Sequence, residues 1–310
     1  MSTATQPLVV PRNAALTLAR DYAELTKLRV TTLIIMTAWC GYYFGALKSG
    51  ISSLSCGLLN ALLGIGLVSG GTAALNEVME WETDGRMRRT AQRPIPAGRF
   101  SLMHATVVGA LMMCGGALYL GLTLNPLTAL LALATSGVYL AAYTPLKKVH
   151  PICTFVGAFP GAMPGVLGWT AARGRLGWGA LVMFAIVFFW QFPHFFSIAW
   201  LYRQDYEDGG IRMLPVVETD GKSTGRQILL YSLALIPVSL LPTFLGMAGR
   251  LYFAGALLLG LALFYVGVRL ATFNLAPSTA RSKQRARQLL QATVFYLPLL
   301  FALMMLNTHL

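Results

Sequence analysis

Asn76, Glu80 and Asp84 stand four residues apart at the end of a long apolar run. On a helix a step of four advances ~40°, so the three oxygen-bearing side chains fall on one stripe. Two carboxylates and an amide oxygen in a row are hard donors of the kind Mg²⁺ takes, commonly together with substrate phosphate. Five arginines follow, Arg86, Arg88, Arg89, Arg93 and Arg99. Acids to hold a metal, beside cations to hold the anion that the metal bridges, describe a diphosphate pocket at a membrane surface. The same stretch also reads as a solvated helix end, in which membrane topology accounts for the arginines. That reading leaves the acids unexplained, because Asp and Glu contribute little to topology and carboxylates near hydrocarbon are costly.

A second acidic group, Asp205 and Asp208, lies between Arg203 and Gly209-Gly210. Spaced i, i+3, the two carboxylates can share a helix face, and the glycines stop the helix. Two acidic helix ends facing each other would bind two metal ions and clamp a diphosphate between them, neutralising charge on the leaving group. Acids paired structurally with basic loop residues give the same pattern. Upstream, Trp190, Gln191, Pro193 and His194 sit among phenylalanines. Intramembrane Gln and His are functional candidates. His194 suits ligation of a haem iron or donation of a hydrogen bond, and equally a packed histidine bonded to a neighbouring carbonyl. It stands ~16 Å of helical rise from Asp205, which fits two ends of one long pocket better than a single metal site. Lys147 and Lys148, in a turn after Tyr143, can reach a diphosphate or serve as topology signals.

The elements that position these residues are membrane helices. The chain has 310 residues, 56% hydrophobic and only 11% charged, with a mean hydropathy of +0.62. A soluble domain carries roughly a quarter charged residues, so composition excludes one and points to an all-α polytopic membrane protein. Apolar runs predict nine spans, near 30–47, 54–79, 101–121, 125–143, 153–170, 177–201, 227–247, 251–271 and 289–308. Threaded through them, one side receives 20 of the 24 basic residues, which puts the N-terminus in the cytoplasm and the C-terminus outside. All 11 acids fall on that same side, which the positive-inside rule does not require. The net charge of +13 is therefore a matter of topology, with the lipid bilayer rather than nucleic acid as partner. Cys40, Cys56, Cys114 and Cys153 have no disulfide or metal-ligand spacing. The start of the chain lacks a signal peptide's apolar core. We expect one domain over 1–310, with residues 1–22 a flexible segment.

Taken together, the motifs resemble the UbiA-type intramembrane prenyltransferase superfamily, and within it the haem-modifying branch. The superfamily pattern Asn-x3-Asp-x3-Asp, then Met-x-Arg-Thr and Arg-Pro, stands here as Asn76, Glu80, Asp84, Met87, Arg89-Thr90 and Arg93-Pro94. Leu25-Thr-Lys27-Leu28-Arg29-Val30, Tyr143-Thr-Pro-Leu-Lys147-Lys148, Trp190-Gln191-Phe-Pro193-His194-Phe195 and Gly210-Ile-Arg-Met-Leu-Pro215 match further family segments. Glu80 replaces the usual Asp, and Leu28 the usual Pro. The resemblance covers about residues 20 to 305. It implies nine transmembrane helices around a central cavity capped on the cytoplasmic side, in a bacterial inner membrane. It implies transfer of farnesyl from farnesyl diphosphate to the 2-vinyl group of protohaem IX, with addition of water. Mg²⁺ would lie on Asn76, Glu80, Asp84, Asp205 and Asp208. Lys27, Arg89, Arg93, Lys147 and Arg203 would surround the diphosphate, and Trp190, Gln191 and His194 would face haem. A haem A synthase or terminal oxidase assembly is the expected protein partner. Other readings stay open at this point: a prenyltransferase for an aromatic or quinone precursor, a transporter, or a haem carrier.

Overall fold

The computed structural model describes residues 14–218, 220–271 and 278–308. These form helices and turns with no sheet. The segment expected to be flexible divides. Residues 1–13 lie outside the described part, and Ala14–Leu25 is a helix, α1. Eleven further α-helices of the bundle and its loops follow as α2 (Leu28–Lys48), α3 (Cys56–Arg86), α4 (Leu102–Thr123), α5 (Pro126–Gly137), α6 (Thr144–Leu146), α7 (Cys153–Arg173), α8 (Trp178–Leu201), α9 (Arg203–Asp208), α10 (Leu214–Val217), α11 (Lys222–Phe244) and α12 (Arg250–Ala271). The last helix is α13, Ala280–Leu306.

Among the described residues, eight helices are long and apolar enough to cross a membrane, one of them running from α5 through α6. The ninth expected span has the length to cross but falls below that apolar content. The difference is α7. Its 21 residues include Pro160 and Pro164, and Gly157, Gly161, Gly165 and Gly168 further dilute its apolar content. Those small residues suit it to protein neighbours rather than lipid. It packs along α2, α5 and α8. At Gly41 a Cβ would meet the carbonyl oxygen of Gly165, and at Gly168 it would meet that of Ala38. Two membrane helices can approach this closely only through such residues.

The 31 residues of α3 extend the span well past residue 79, so the acidic stripe continues the membrane helix. It ends where Met87 turns extended, at φ −94° and ψ 126°. Between α5 and α6, Val138–Tyr143 winds as a π-helix. Insertions of this kind inside α-helices occur frequently at functional sites. Pro193 leaves α8 unbroken. The largest core joins α8 to α11, α12 and α13 through Met183, Ile186, Phe192, Ile228, Leu263 and Leu300.

Candidate active site

The stripe on α3 lands where the sequence places it. Asn76, Glu80 and Asp84 are 0%, 6% and 2% exposed. Carboxylates buried this deeply must be paired, and each polar group on the stripe has a cation. Lys27 Nζ donates to Asn76 Oδ1 at 2.5 Å. Lys147 Nζ donates to both Glu80 oxygens, at 2.8 and 3.1 Å. Arg93 Nη1 donates to Asp84 Oδ2 at 2.5 Å. The Asn76 amide also donates to Thr144 Oγ1 at 3.0 Å, so the residue after the π-helix reads the orientation of the stripe.

Lys27, Glu80, Asp84, Arg93 and Lys147 line one cleft of about 80 Å³ at the charged end of the bundle, with Met87, Arg89, Thr90, Tyr143, Tyr206, Ile211 and Met213 completing its wall. Four cations face two carboxylates there. The excess is felt by Lys27, whose pKa burial, and then the charges of Arg93 and Lys147, push down to about 8. Burial also works against the charge on Lys147, but Tyr143 and Glu80 outweigh it and hold its pKa above the ordinary lysine value. Lys147 lies over the Tyr143 ring at 4.5 Å. Arg89 lies over Tyr202 and Tyr206, at 5.0 and 5.6 Å. Crowded cations with few counter-charges make a site for an anion.

The second acidic group is placed differently. Asp205 and Asp208 lie on α9, whose six residues make less than two turns. Neither lines the cleft; Tyr206, between them, does. Asp208 is exposed and accepts a hydrogen bond from Gln204 at 3.0 Å. Arg203 also stands outside the cleft lining, with its buried Nε lacking a hydrogen-bond partner. The segment after α9 is nonetheless tied to the cleft, since Arg212 N donates to the Lys147 carbonyl at 2.8 Å. Among the described residues, no group of three or more His, Cys, Asp or Glu side chains is close enough to hold a metal by itself. The donors that do converge are Asn76, Glu80 and Asp84. Their hard oxygens fit Mg²⁺ shared with phosphate oxygens better than a closed all-protein site.

The aromatic stretch on α8 lies apart from the cleft. Gln191 Nε2 donates to the Ala158 and Val187 carbonyls, at 3.0 and 3.2 Å, so its amide ties α8 to α7. Trp190 Nε1 donates to the Thr293 carbonyl at 2.8 Å, and its ring stacks on His194 with centroids 4.7 Å apart. His194 Nδ1 is 2.9 Å from Thr293 Oγ1. That hydroxyl already donates its single proton to the Leu290 carbonyl, at 2.6 Å. It must therefore accept from Nδ1–H, which leaves the lone pair of a neutral imidazole on Nε2. A neutral histidine ligates a metal through whichever ring nitrogen carries the lone pair, here Nε2.

Sequence reasoning missed Tyr206, Thr90 and Met213 as wall residues. The signal for Tyr206 was its place in the second acidic segment, where the flanking carboxylates drew the attention. Glu77 was also passed over. It is fully buried, and its Oε1 accepts weakly from Ile95 N at 3.4 Å.

Known proteins resemble the chain in sequence and in fold. The UbiA prenyltransferase family matches residues 33–290. A protoheme IX farnesyltransferase of Koribacter versatilis is 66% identical over 99% of both chains. That of Solibacter usitatus is 48% identical over 93% of this chain and 98% of its own. Among solved structures, a digeranylgeranylglyceryl phosphate synthase superposes with a TM-score of 0.75 at 16% identity, covering 93% of this chain and 98% of that one. A UbiA homologue from Archaeoglobus fulgidus, bound to GPP and Mg²⁺, has a TM-score of 0.64 at 13% identity, over 92% and 99%. The two structures establish the shared fold, and the two sequence relatives the branch. The chain belongs to the UbiA prenyltransferase family, among the protoheme IX farnesyltransferases.

Proposed function

We propose that the protein transfers a farnesyl group from farnesyl diphosphate to the 2-vinyl group of protohaem IX, with addition of water, giving haem O and diphosphate. The observation that carries this reading is the cleft itself, where four cations meet Glu80 and Asp84 of the α3 stripe at the end of an apolar bundle.

Lys27, Arg89, Arg93 and Lys147 are the groups that receive the diphosphate, with Arg203 at the margin. Asn76, Glu80 and Asp84 would hold Mg²⁺, with Asp205 and Asp208 as a second set. When bound, the metal supplies Lewis-acid neutralisation of the charge growing on the leaving diphosphate. Each residue of the stripe has a cation on it. An arriving diphosphate gives those cations a stronger partner and frees the oxygens. The farnesyl C1–O bond breaks and its electron pair leaves with the diphosphate. The terminal vinyl carbon bonds to C1. Water adds to the remaining vinyl carbon and loses a proton. The apolar bundle below the cleft would hold the chain and exclude water from the allylic cation until the new bond forms. No protein nucleophile is needed.

His194, with its lone pair on Nε2, is the group we assign to haem, beside Trp190 and Gln191. Thr293→Val, which removes the acceptor for Nδ1–H, should weaken haem binding about tenfold, with Thr293→Ser near wild type. His194→Ala should weaken it further while leaving diphosphate binding intact. Titration of haem b into the purified protein, followed in the Soret region, measures all three. Equal affinities across the series would remove His194 from the haem site.

The protein is a multi-pass membrane protein. We place it in a bacterial cytoplasmic membrane with the cleft and N-terminus cytoplasmic and the C-terminus outside, next to a haem A synthase or terminal oxidase assembly. The direct test is incubation of detergent-purified protein with haem b, labelled farnesyl diphosphate and Mg²⁺, with and without EDTA. Labelled haem that disappears with EDTA supports substrate, reaction and metal together. Binding of farnesyl diphosphate without labelled haem would move the acceptor to an aromatic or quinone precursor.

A further inference from the structure

The cations of the cleft come from separate pieces of chain, and an ion pair outside the cleft joins two of them. Lys27 follows α1 at the junction with α2, and Arg89 and Arg93 lie in the loop after α3. Arg99, at the far end of that loop, donates through Nε to Asp21 Oδ1 of α1 at 2.9 Å. Its Nη2 reaches Glu24 Oε2 of α1 at 3.4 Å and the Gln92 carbonyl, one residue before Arg93, at 2.8 Å. One side chain thus holds the helix that leads into Lys27 and the backbone that leads into Arg93. Around it, Leu25, Ile95, Ala74 and Ala105 form a small separate core with Tyr22 and Phe100. Tyr22 Oη bonds His104 Nε2 at 2.9 Å.

Lys27 itself needs holding. With φ 47° and ψ 49° it is the one non-glycine residue at positive φ among the described residues. A lysine adopts that region at a cost unless its surroundings impose it. The surroundings here are α2 on one side, α1 on the other, and Asn76 at the end of the side chain. Lys27 and Arg93 also repel each other across the cleft. Asn76 and Asp84 hold the tips of these two side chains, and the chain behind each is held from outside the cleft.

We propose that Asp21 and Arg99 are positioning residues for the diphosphate site, clasping α1 to the 87–100 loop so that Lys27 and Arg93 face the cleft in advance of substrate. They act through those two cations and touch no substrate. The inference rests on the diphosphate reading of the cleft.

The test uses the full chain in detergent, with two readouts. The first is Mg²⁺-dependent binding, by calorimetry, of a farnesyl diphosphate analogue that has sulfur between C1 and phosphorus and does not ionise. The second is the KM for each substrate alongside kcat. Arg99→Ala and Asp21→Asn should each weaken analogue binding and raise the KM for farnesyl diphosphate about tenfold, with kcat and the KM for haem within about twofold. Asp21→Arg combined with Arg99→Asp should regain most of the loss. A purely structural pair would lower activity toward both substrates alike, and that result overturns the proposal, as does wild-type analogue affinity in folded Arg99→Ala. Should Arg99→Ala not fold, Arg99→Lys retains charge but loses the fork to Asp21 and Gln92. About threefold weaker analogue binding then supports the clasp, and unchanged binding overturns it. Wild-type protein that fails to bind the analogue refutes the diphosphate reading itself, whereas wild-type binding with indifferent variants refutes the clasp alone.

Discussion

Asp84 and Asp208 both stand at the charged end of the bundle, in acidic segments that begin from similar spacing. Asp84 is 2% exposed and salt-bridged to Arg93 at 2.5 Å. Asp208 is exposed and bonded to Gln204 at 3.0 Å within its own short helix. The first acid is carried by a 31-residue helix packed into the bundle, the second by six residues between Tyr202 and Gly209. Spacing puts carboxylates on one face in both. Burial and a matched cation make one face a pre-built site, while the other keeps the freedom to adjust. A ligand that draws on both would find the α3 stripe already formed and would have to recruit α9.

That contrast can be broken by experiment. Asp84→Ala should cost the most, about 10³-fold in turnover, because it removes a donor and strands a half-buried Arg93. Glu80→Gln should follow at about 10²-fold, since the amide keeps an oxygen but loses the charge that balances Lys147. Asp205→Asn should cost about tenfold, with a raised Mg²⁺ requirement rather than a lost one. Asp208→Asn should stay within about threefold. All four are read as initial rates of labelled haem formation over a Mg²⁺ series. If Asp208→Asn matched Asp84→Ala, the second group would be an equal partner and the pre-built character of the first would be irrelevant to catalysis. If Asp205→Asn were silent at every Mg²⁺ concentration, the second group would drop out of the metal site.

The bundle was legible in hydropathy because lipid-facing helices advertise themselves. α7 was the exception in kind, a helix of membrane length whose glycines and prolines serve contact with α2 rather than contact with lipid. The stripe was legible because helical period and residue type agree there. Its partners were half legible. Lys27, Arg93 and Lys147 were marked by charge near a motif, but which oxygen each one holds depends on chain segments brought together from far apart. The π-helix at Val138–Tyr143 left no trace in periodicity, though it sets Thr144 against Asn76. Tyr206 was hidden because a six-residue helix has too little length for its faces to be assigned from sequence. The ordering of His194 by Thr293 joins residues 99 positions apart and no local pattern could announce it.

α3 is longer than a bilayer's hydrocarbon is thick. Its 31 residues rise ~46 Å, against ~30 Å of hydrocarbon in a bilayer. With Cys56 at the far face of the hydrocarbon, ~30 Å of rise ends at Asn76, and the oxygen-bearing stripe then begins where hydrocarbon gives way to headgroups. A reactant with a greasy tail and a doubly phosphorylated head can then keep each part in its own solvent throughout the reaction. The products separate along the same line: diphosphate departs into water, and the alkylated porphyrin stays with the lipid. The length of one helix thus makes the enzyme a phase-transfer catalyst, with product sorting built into its height in the membrane.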